Sequence, residues 1–279
     1  MKRILTVQDI SCVGKCSLTV ALPIISATGI EAGVLPTAVL STHTQFKGFT
    51  FHDLTGEIAP VAEHWKKENI DFEAIYTGYL GSFEQIDLVA KLFDDFKTDN
   101  NVIIVDPVMG DNGKLYAGFG EDFPIKMREL CAKADIILPN MTEAAYMLGI
   151  EYVESGYDED YIKDILVKLC GLGAKCAVLT GVSFEKDKLG VMSYNSETGE
   201  FFSYFNDEVK AKYHGTGDIF SSCFTGALVR GLSTNDALSL AADFTARCIE
   251  NTLNNDPDCW YGVNFELEIP YLVDRLREI

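Results

Sequence analysis

Positive charge and long apolar runs are both scarce in this chain. Its 279 residues include 23 lysine and arginine side chains against 42 aspartate and glutamate side chains, which gives a formal net charge of -19 at pH 7. This charge repels nucleic acids and anionic membrane surfaces, and no apolar run approaches the length of a bilayer span. We therefore expect no nucleic-acid or membrane partner. An anionic substrate would have to be bound by local hydrogen-bond donors and metal ions.

Paired cysteine motifs are lacking as well. The eight cysteines show no C-x-x-C spacing and lie mostly inside apolar runs, which favours buried, reduced thiols over a disulfide framework. Because a strand is predicted almost directly after Met1, we expect no signal peptide. Together these features predict a cytoplasmic protein.

Apolar strand patterns alternate with helical patterns along the chain, without repeats or linkers. Strands are predicted at 4–8, 32–40, 74–77, 101–105, 135–138 and 176–179, and an antiparallel hairpin at 189–194 and 200–205. Helices are predicted at 18–27, 57–69, 83–96, 161–172, 219–230 and 235–251. The order predicts a three-layer α/β fold, with a doubly wound, mostly parallel central sheet and a small antiparallel hairpin, in a single domain spanning 1–279.

The segment His214-Gly215-Thr216-Gly217-Asp218 precedes the predicted helix at 219–230. Its small residues let the backbone approach a ligand closely, and main-chain N–H groups at a helix N-terminus bind anions. Asp218 would lie in the first turn, where the helix dipole keeps a carboxylate ionised and able to accept a proton from a hydroxyl. These are the groups that phosphoryl transfer to an alcohol requires. The plainer alternative is a tight turn with an aspartate N-cap.

Polar residues also follow the predicted strands. Asp106 ends the strand at 101–105, where a carboxylate is well placed to hold a metal ion or position a phosphate. Glu143 would face the same edge and bind a metal through water, although Asn140 and Glu143 also fit a helix capping box. Residues 110–121 contain four glycines and are typical of a mobile flap or of a disordered surface loop.

Five segments, taken together and in order, resemble one family. They are Ser41-Thr42-His43-Thr44, Thr77-Gly78-Tyr79-Leu80-Gly81, Asp106-Pro107-Val108-Met109-Gly110, Asn140-Met141-Thr142-Glu143 and Gly215-Thr216-Gly217-Asp218. They resemble the ribokinase-like kinases, and within them the pyridoxal/pyridoxamine (vitamin B6) kinases, over nearly the whole chain. The resemblance implies ATP-dependent phosphorylation of the 5'-hydroxymethyl group of pyridoxal, pyridoxamine or pyridoxine. It also implies Mg2+, a homodimer and, as an open question, a monovalent cation.

The resemblance assigns roles to four groups of residues. The base that takes the hydroxyl proton would be Asp218, beside an anion hole of main-chain amides from Gly215, Thr216 and Gly217. Magnesium would be held, mostly through water, by Asp106 and Glu143. The nucleotide would be contacted by Asn140, Glu143, Thr180 and Gly181, under a flap that carries Asp111 and Tyr116. The vitamin pocket would be lined by Tyr79, His43 and Thr44, with Asp9 or Ser11 meeting the pyridine ring.

Two departures from the family bear on the substrate. The loop after Gln8 is shorter than in many vitamin B6 kinases, which leaves open whether Asp9 or Ser11 meets the ring; an anionic Asp9 would favour a protonated ring nitrogen. Asp218 stands where related kinases of pyridoxal and a pyrimidine alcohol carry cysteine, which disfavours that class. The alternatives are a hydroxymethylpyrimidine kinase of thiamine synthesis, a sugar or nucleoside kinase, and a non-catalytic nucleotide-binding relative.

Overall fold

The computed structural model describes residues 1–278. The strands are, in chain order, β1 (Arg3–Ser11), β2 (Glu31–Leu40), β3 (Phe51–Asp53), β4 (Ala74–Thr77), β5 (Val102–Val105), β6 (Gly110–Asp111), β7 (Lys114–Leu115), β8 (Ile136–Ile137), β9 (Cys176–Val182), β10 (Lys188–Asn195) and β11 (Glu200–Asp207). The α-helices are α1 (Leu18–Ala27), α2 (Thr55–Lys67), α3 (Phe83–Phe96), α4 (Phe123–Cys131), α5 (Met141–Leu148), α6 (Glu159–Cys170), α7 (Thr216–Arg230), α8 (Thr234–Asn255) and α9 (Ile269–Arg277). The predicted α/β class with a large, mostly parallel sheet is confirmed.

The chain forms two compact units, and the first contains Met1–Gly78 together with the residues from Glu208 onward. Its strands lie in the order β4-β1-β2-β3. Strand β1 pairs in parallel with both β2 and β4, whereas β3 runs antiparallel to β2. The parallel strands place their carboxyl ends at one edge, from which the β1–α1 loop of residues 12–17 departs.

The second unit contains Tyr79–Asp207. Strands β5, β8 and β9 are parallel neighbours, and β10 and β11 continue this sheet in antiparallel directions. The predicted hairpin is confirmed, with slightly longer strands than the pattern indicated. The prediction of a single domain stays a prediction.

The sequence pattern of residues 110–121 indicates no strand, but the first six of these residues form regular structure, and the mobile flap stays a prediction. There β6 and β7 form a two-stranded hairpin in which Gly110 pairs with Leu115. The turn residues Asn112 and Gly113 both take positive φ, of 51° and 74°. An Asn-Gly pair is the strongest short hairpin signal because a two-residue turn needs positive φ at both positions, so the sequence did contain the information.

Helices α1 and α7 pack closely in the first unit. A Cβ on Gly226 would lie 2.6 Å from Thr28 Cγ2, so glycine is what allows this approach. Every residue of α7 from Ile219 to Ala227 is buried, which holds its N-terminal turn firmly. Besides β6 and β7, the sequence patterns missed β3, α4 and α9. Within residues 1–278, no helix combines the length and the hydrophobicity needed to cross a bilayer.

Candidate active site

The N-terminus of α7 is built on glycine. Gly215, the N-cap, has φ 79°, and a Cβ there would lie 2.1 Å from the carbonyl oxygen of Lys15, so no other residue fits. At Gly217 an added Cβ would meet no atom within 4 Å. The protein's own packing therefore explains Gly215 but not Gly217, where open space lies in front of the backbone. The first N–H groups of a helix have no intrahelical acceptors, so the amides of Gly215, Thr216 and Gly217 suit an anion.

Asp218 is the third residue of α7 and is half-buried. Its Oδ2 accepts a hydrogen bond of 2.9 Å from the main-chain N–H of Ser17. Burial raises the pKa of Asp218 to about 7, and the charge of Asp9 adds to that rise while the Ser17 N–H opposes it. Desolvation thus opposes the ionised form of Asp218 that the helix dipole is expected to favour.

Asp9, at the end of β1, is 4% exposed and lies in a cluster of serines. Its Oδ1 accepts a hydrogen bond of 2.6 Å from the Ser17 hydroxyl, and its Oδ2 accepts one of 3.1 Å from the Ser11 hydroxyl. Burial raises the pKa of Asp9, and the two hydroxyl donors reduce that rise. Asp9 and Ser11 are thus brought together, and Ser11 acts as a hydrogen-bond donor to the carboxylate.

His43 is buried within an aromatic group that also contains Phe46, Trp260 and His214. Its Nδ1 accepts a hydrogen bond from the Gln45 N–H, so its Nε2 is the donor to the carbonyl oxygen of Tyr261, at 2.9 Å. Burial lowers the pKa of His43. Because both ring nitrogens have partners within the protein, His43 can offer a ligand only its ring surface. Thr44 is exposed.

The thiols of the described residues are all free, as predicted. Cys12 is exposed, which corrects the expectation that the cysteines are buried. Cys16 lies beneath Gly215, and burial together with the charges of Asp218 and Asp9 raises the pKa of its thiol. This thiol is therefore neutral beside the two carboxylates.

In the second unit, Asp106 and Glu143 form a buried acidic pair, 6% and 3% exposed. Burial and the neighbouring Asp106 charge raise the pKa of Glu143 well above its usual range. Its two oxygens accept hydrogen bonds from the N–H groups of Met109, at 3.1 Å, and Asn140, at 2.9 Å. Among residues 1–278 no three His, Cys, Asp or Glu side chains group around a metal position. Two carboxylates nevertheless fit Mg2+, which keeps several waters and takes further ligands from phosphates.

Asn140 caps α5 and also anchors the β6–β7 hairpin. Its Oδ1 accepts from the Glu143 N–H at 3.0 Å, and its Nδ2 donates to the Gly110 carbonyl at 2.9 Å. The capping box is therefore confirmed, and the same cap ties the hairpin to the helix. Thr180 forms an isolated β-bridge with Asn140, and Gly181 follows with φ 74° and no atom within 4 Å of an added Cβ.

The remaining predicted residues of this unit lie on or near the hairpin. Both oxygens of Asp111 accept hydrogen bonds from Asn112, one from its N–H and one from its side chain, each at 2.8 Å. The Tyr116 N–H donates to the Met109 carbonyl at 2.9 Å, while its side chain is exposed. Tyr79 stacks on Phe119 with ring centroids 5.6 Å apart.

Sequence reasoning missed two residues with defined roles at these sites. Ser17 contacts both Asp9 and Asp218, although in the sequence it has the pattern of an ordinary helix N-cap. Thr142 accepts the Gly113 N–H through its hydroxyl at 2.9 Å and so holds the tip of the hairpin. No local signal distinguishes either role, because Asp218 lies 201 positions from Ser17 and Gly113 lies 29 positions from Thr142.

Comparisons with known proteins bear on the fold and the family of the chain. A family model described as phosphomethylpyrimidine kinase matches residues 25–259. Pyridoxal kinase from Lactobacillus plantarum is 30% identical, and its structure matches with a TM-score of 0.90 over 100% of this chain and 99% of that chain. A candidate phosphomethylpyrimidine kinase from Bacteroides thetaiotaomicron VPI-5482, in a crystal form with pyridoxal, is 40% identical, with a TM-score of 0.91 over 99% and 96% of the two chains.

A curated relative extends the comparison. Pyridoxal kinase from Dictyostelium discoideum is 27% identical over 289 residues, which cover 98% of this chain and 93% of the relative. Fold and site thus define a ribokinase-like small-molecule kinase. The chain belongs to the phosphomethylpyrimidine kinase family.

Proposed function

We propose that this protein uses ATP to phosphorylate the 5'-hydroxymethyl group of a vitamin B6 vitamer, namely pyridoxal, pyridoxamine or pyridoxine. The observation that carries the proposal is the carboxylate of Asp218 in the first turn of α7, directly beside the main-chain amides that suit an anion. The named activity of the relatives from L. plantarum and D. discoideum supports the choice of substrate.

The first unit supplies the groups for the acceptor alcohol. Asp218, with a pKa of about 7, changes protonation near neutral pH, which is where a general base is most effective. The amides of Gly215, Thr216 and Gly217 stabilise negative charge on the transferred phosphoryl group. Asp9 offers a carboxylate to a protonated ring nitrogen, and His43 offers a ring face against the vitamer.

The second unit supplies the groups for the nucleotide. Asp106 and Glu143 would hold Mg2+, which when bound neutralises phosphate charge. Glu143 already accepts two main-chain N–H groups, so contact through water suits it better than direct coordination. The phosphates would contact Asn140, Thr180 and Gly181. The β6–β7 hairpin, which carries Asp111, would exclude water from the phosphates together with the adjacent Tyr116. We place the enzyme in the cytoplasm as a homodimer.

The test is a paired-substrate assay of ADP release. The purified protein is given ATP, Mg2+ and, separately, pyridoxal, pyridoxamine, pyridoxine or hydroxymethylpyrimidine, with and without K+. We expect ADP release that depends on a vitamer and exceeds release with the pyrimidine. Preferred use of the pyrimidine would make the substrate assignment wrong, and ATP binding without any acceptor-dependent release would contradict the enzyme itself.

A matched pair of variants tests the base. Asp218→Ala should lower kcat by about 10²–10⁴, the contribution of general-base catalysis, with ATP binding retained. Asp236 is the matched control, because it is the third residue of α8 and is exposed; Asp236→Ala should keep wild-type activity. Wild-type turnover by Asp218→Ala would reject the assignment of Asp218.

A further inference from the structure

Ser17 has a backbone conformation that L residues rarely adopt. Its φ is 56° and its ψ is -134°, a region populated mainly by glycine. A non-glycine residue persists there only where its surroundings over-determine it, and an antiparallel bridge to Ile10 is one such constraint. The strain points to a role for the side chain that glycine would not fill.

The hydroxyl of Ser17 does not do what its position predicts. Ser17 is the N-cap of α1, and its carbonyl accepts the first helical hydrogen bonds, from Val20 at 3.0 Å and Ala21 at 2.9 Å. A serine at this position normally caps the helix with its side chain. Here there is no side-chain cap, and the hydroxyl instead donates to Asp9 Oδ1 at 2.6 Å.

Ser17 therefore contacts two carboxylates at once. Its N–H donates to Asp218 Oδ2 at 2.9 Å, while its hydroxyl donates to Asp9, and the residue is 6% exposed. Hydrogen bonds to ionised groups at such distances are the stronger kind. The positive φ turns the N–H and the hydroxyl of a single residue toward both acids.

We propose that Ser17 is a positioning residue that ties the base Asp218 to Asp9 and thereby lets the charge of Asp9 tune the base. This inference rests on the proposed function, in which Asp218 accepts the proton of the alcohol. It extends that function, because it makes the pH range of catalysis depend on a serine whose N–H and hydroxyl both donate to the two acids.

Burial has the largest effect on the ionisation of the two acids, and Ser17 donates a hydrogen bond to each of them. From α7 comes Asp218, from β1 comes Asp9, and from the β1–α1 loop comes Cys16, whose raised pKa keeps it neutral. The Lys15 ammonium turns to Asn264 and Glu266, at 2.8 Å and 2.7 Å. Burial of Asp9 disfavours its charge, and the Ser17 hydroxyl favours it.

Loss of the Ser17 hydroxyl should change the protonation of both Asp9 and Asp218. Asp9 would keep its proton to higher pH, since one of its two donors is gone. Over the pH range in which Asp9 keeps its proton, its charge no longer raises the pKa of Asp218. The acid limb of the kcat profile should then move to lower pH.

The test compares Ser17→Gly and Ser17→Ala, each alone and combined with Asp9→Asn. Glycine relaxes the backbone and alanine does not, so the two differ in thermal stability but share the loss of the hydroxyl. We expect both to shift the acid limb of kcat equally in the otherwise wild-type protein, and neither to shift it further in Asp9→Asn. An equal shift with and without Asp9, or lower activity with an unmoved acid limb, would overturn the proposal.

A titration that does not depend on catalysis tests the link through Ser17 independently of the proposed function. The side-chain carboxyl carbons of Asp9 and Asp218 are titrated by 13C NMR in the wild type and in Ser17→Gly, with Asp9→Asn and Asp218→Asn for assignment. We expect the Asp9 titration to move up and the Asp218 titration to move down. If no vitamer is phosphorylated but these shifts occur, the proposed function fails while the link through Ser17 holds; unchanged titrations refute the link whatever the substrate.

Discussion

Replacing Asp218 by asparagine should stabilise the protein while it removes the base. A carboxyl group in the unfolded chain loses its proton near its ordinary pKa of 3.8, whereas in the folded protein the pKa of Asp218 is about 7. Between these values the folded state holds a proton that the unfolded state has released. The free energy of unfolding therefore falls as pH rises through this window, and it stays lower above it.

The size of the effect follows from the same two values. The difference of about 3 pKa units, at about 1.4 kcal/mol each, sets an upper bound of about 4 kcal/mol on the destabilisation by ionised Asp218. The half-buried position of the side chain makes the measured value smaller. Asparagine keeps an acceptor for the Ser17 N–H but carries no charge, so Asp218→Asn should gain most of this energy above about pH 7 and little near pH 4.

Urea unfolding at both ends of this window measures the gain. Trp65 and Trp260 both belong to the first unit, as Asp218 does, so tryptophan fluorescence follows the relevant part of the chain. Asp236→Asn is the control, since an exposed acid at the same helix position should give no pH-dependent gain. A stability change for Asp218→Asn that is absent or equal at both pH values would show that burial does not raise this pKa.

Two further predictions concern the second unit and the thiols. Asp106→Asn should raise the Mg2+ concentration for half-maximal activity by about tenfold or more without loss of folding, measured by Mg2+ titration of ADP release alongside circular dichroism; an unchanged requirement would remove Asp106 from the metal site. A thiol reagent should rapidly modify one cysteine of the native protein, Cys12, because it is exposed. Cys12→Ser should abolish this fast phase, and a fast phase that survives would locate the reactive thiol elsewhere.

Several local features could be predicted from short stretches of sequence. Helix α3 begins at Phe83 and ends at Phe96 as its periodicity indicates, and the Asn140–Glu143 capping box forms as expected. Such features depend on residues within about four positions of each other. The hairpin turn at Asn112-Gly113 belongs to the same class, although the density of glycines around it concealed the signal.

The sequence by itself determined the alternation of the main strands and helices, the glycine turn at Gly215 and the place of Asp218 in the first turn of α7. Only the tertiary structure decided how Asp218 ionises and which groups accompany it. Ser17 lies 201 positions away from Asp218 in the chain, and no local pattern relates the two. Desolvation and long-range hydrogen bonds arise only when such distant residues are packed together, so the chemistry of this acid was set by folding.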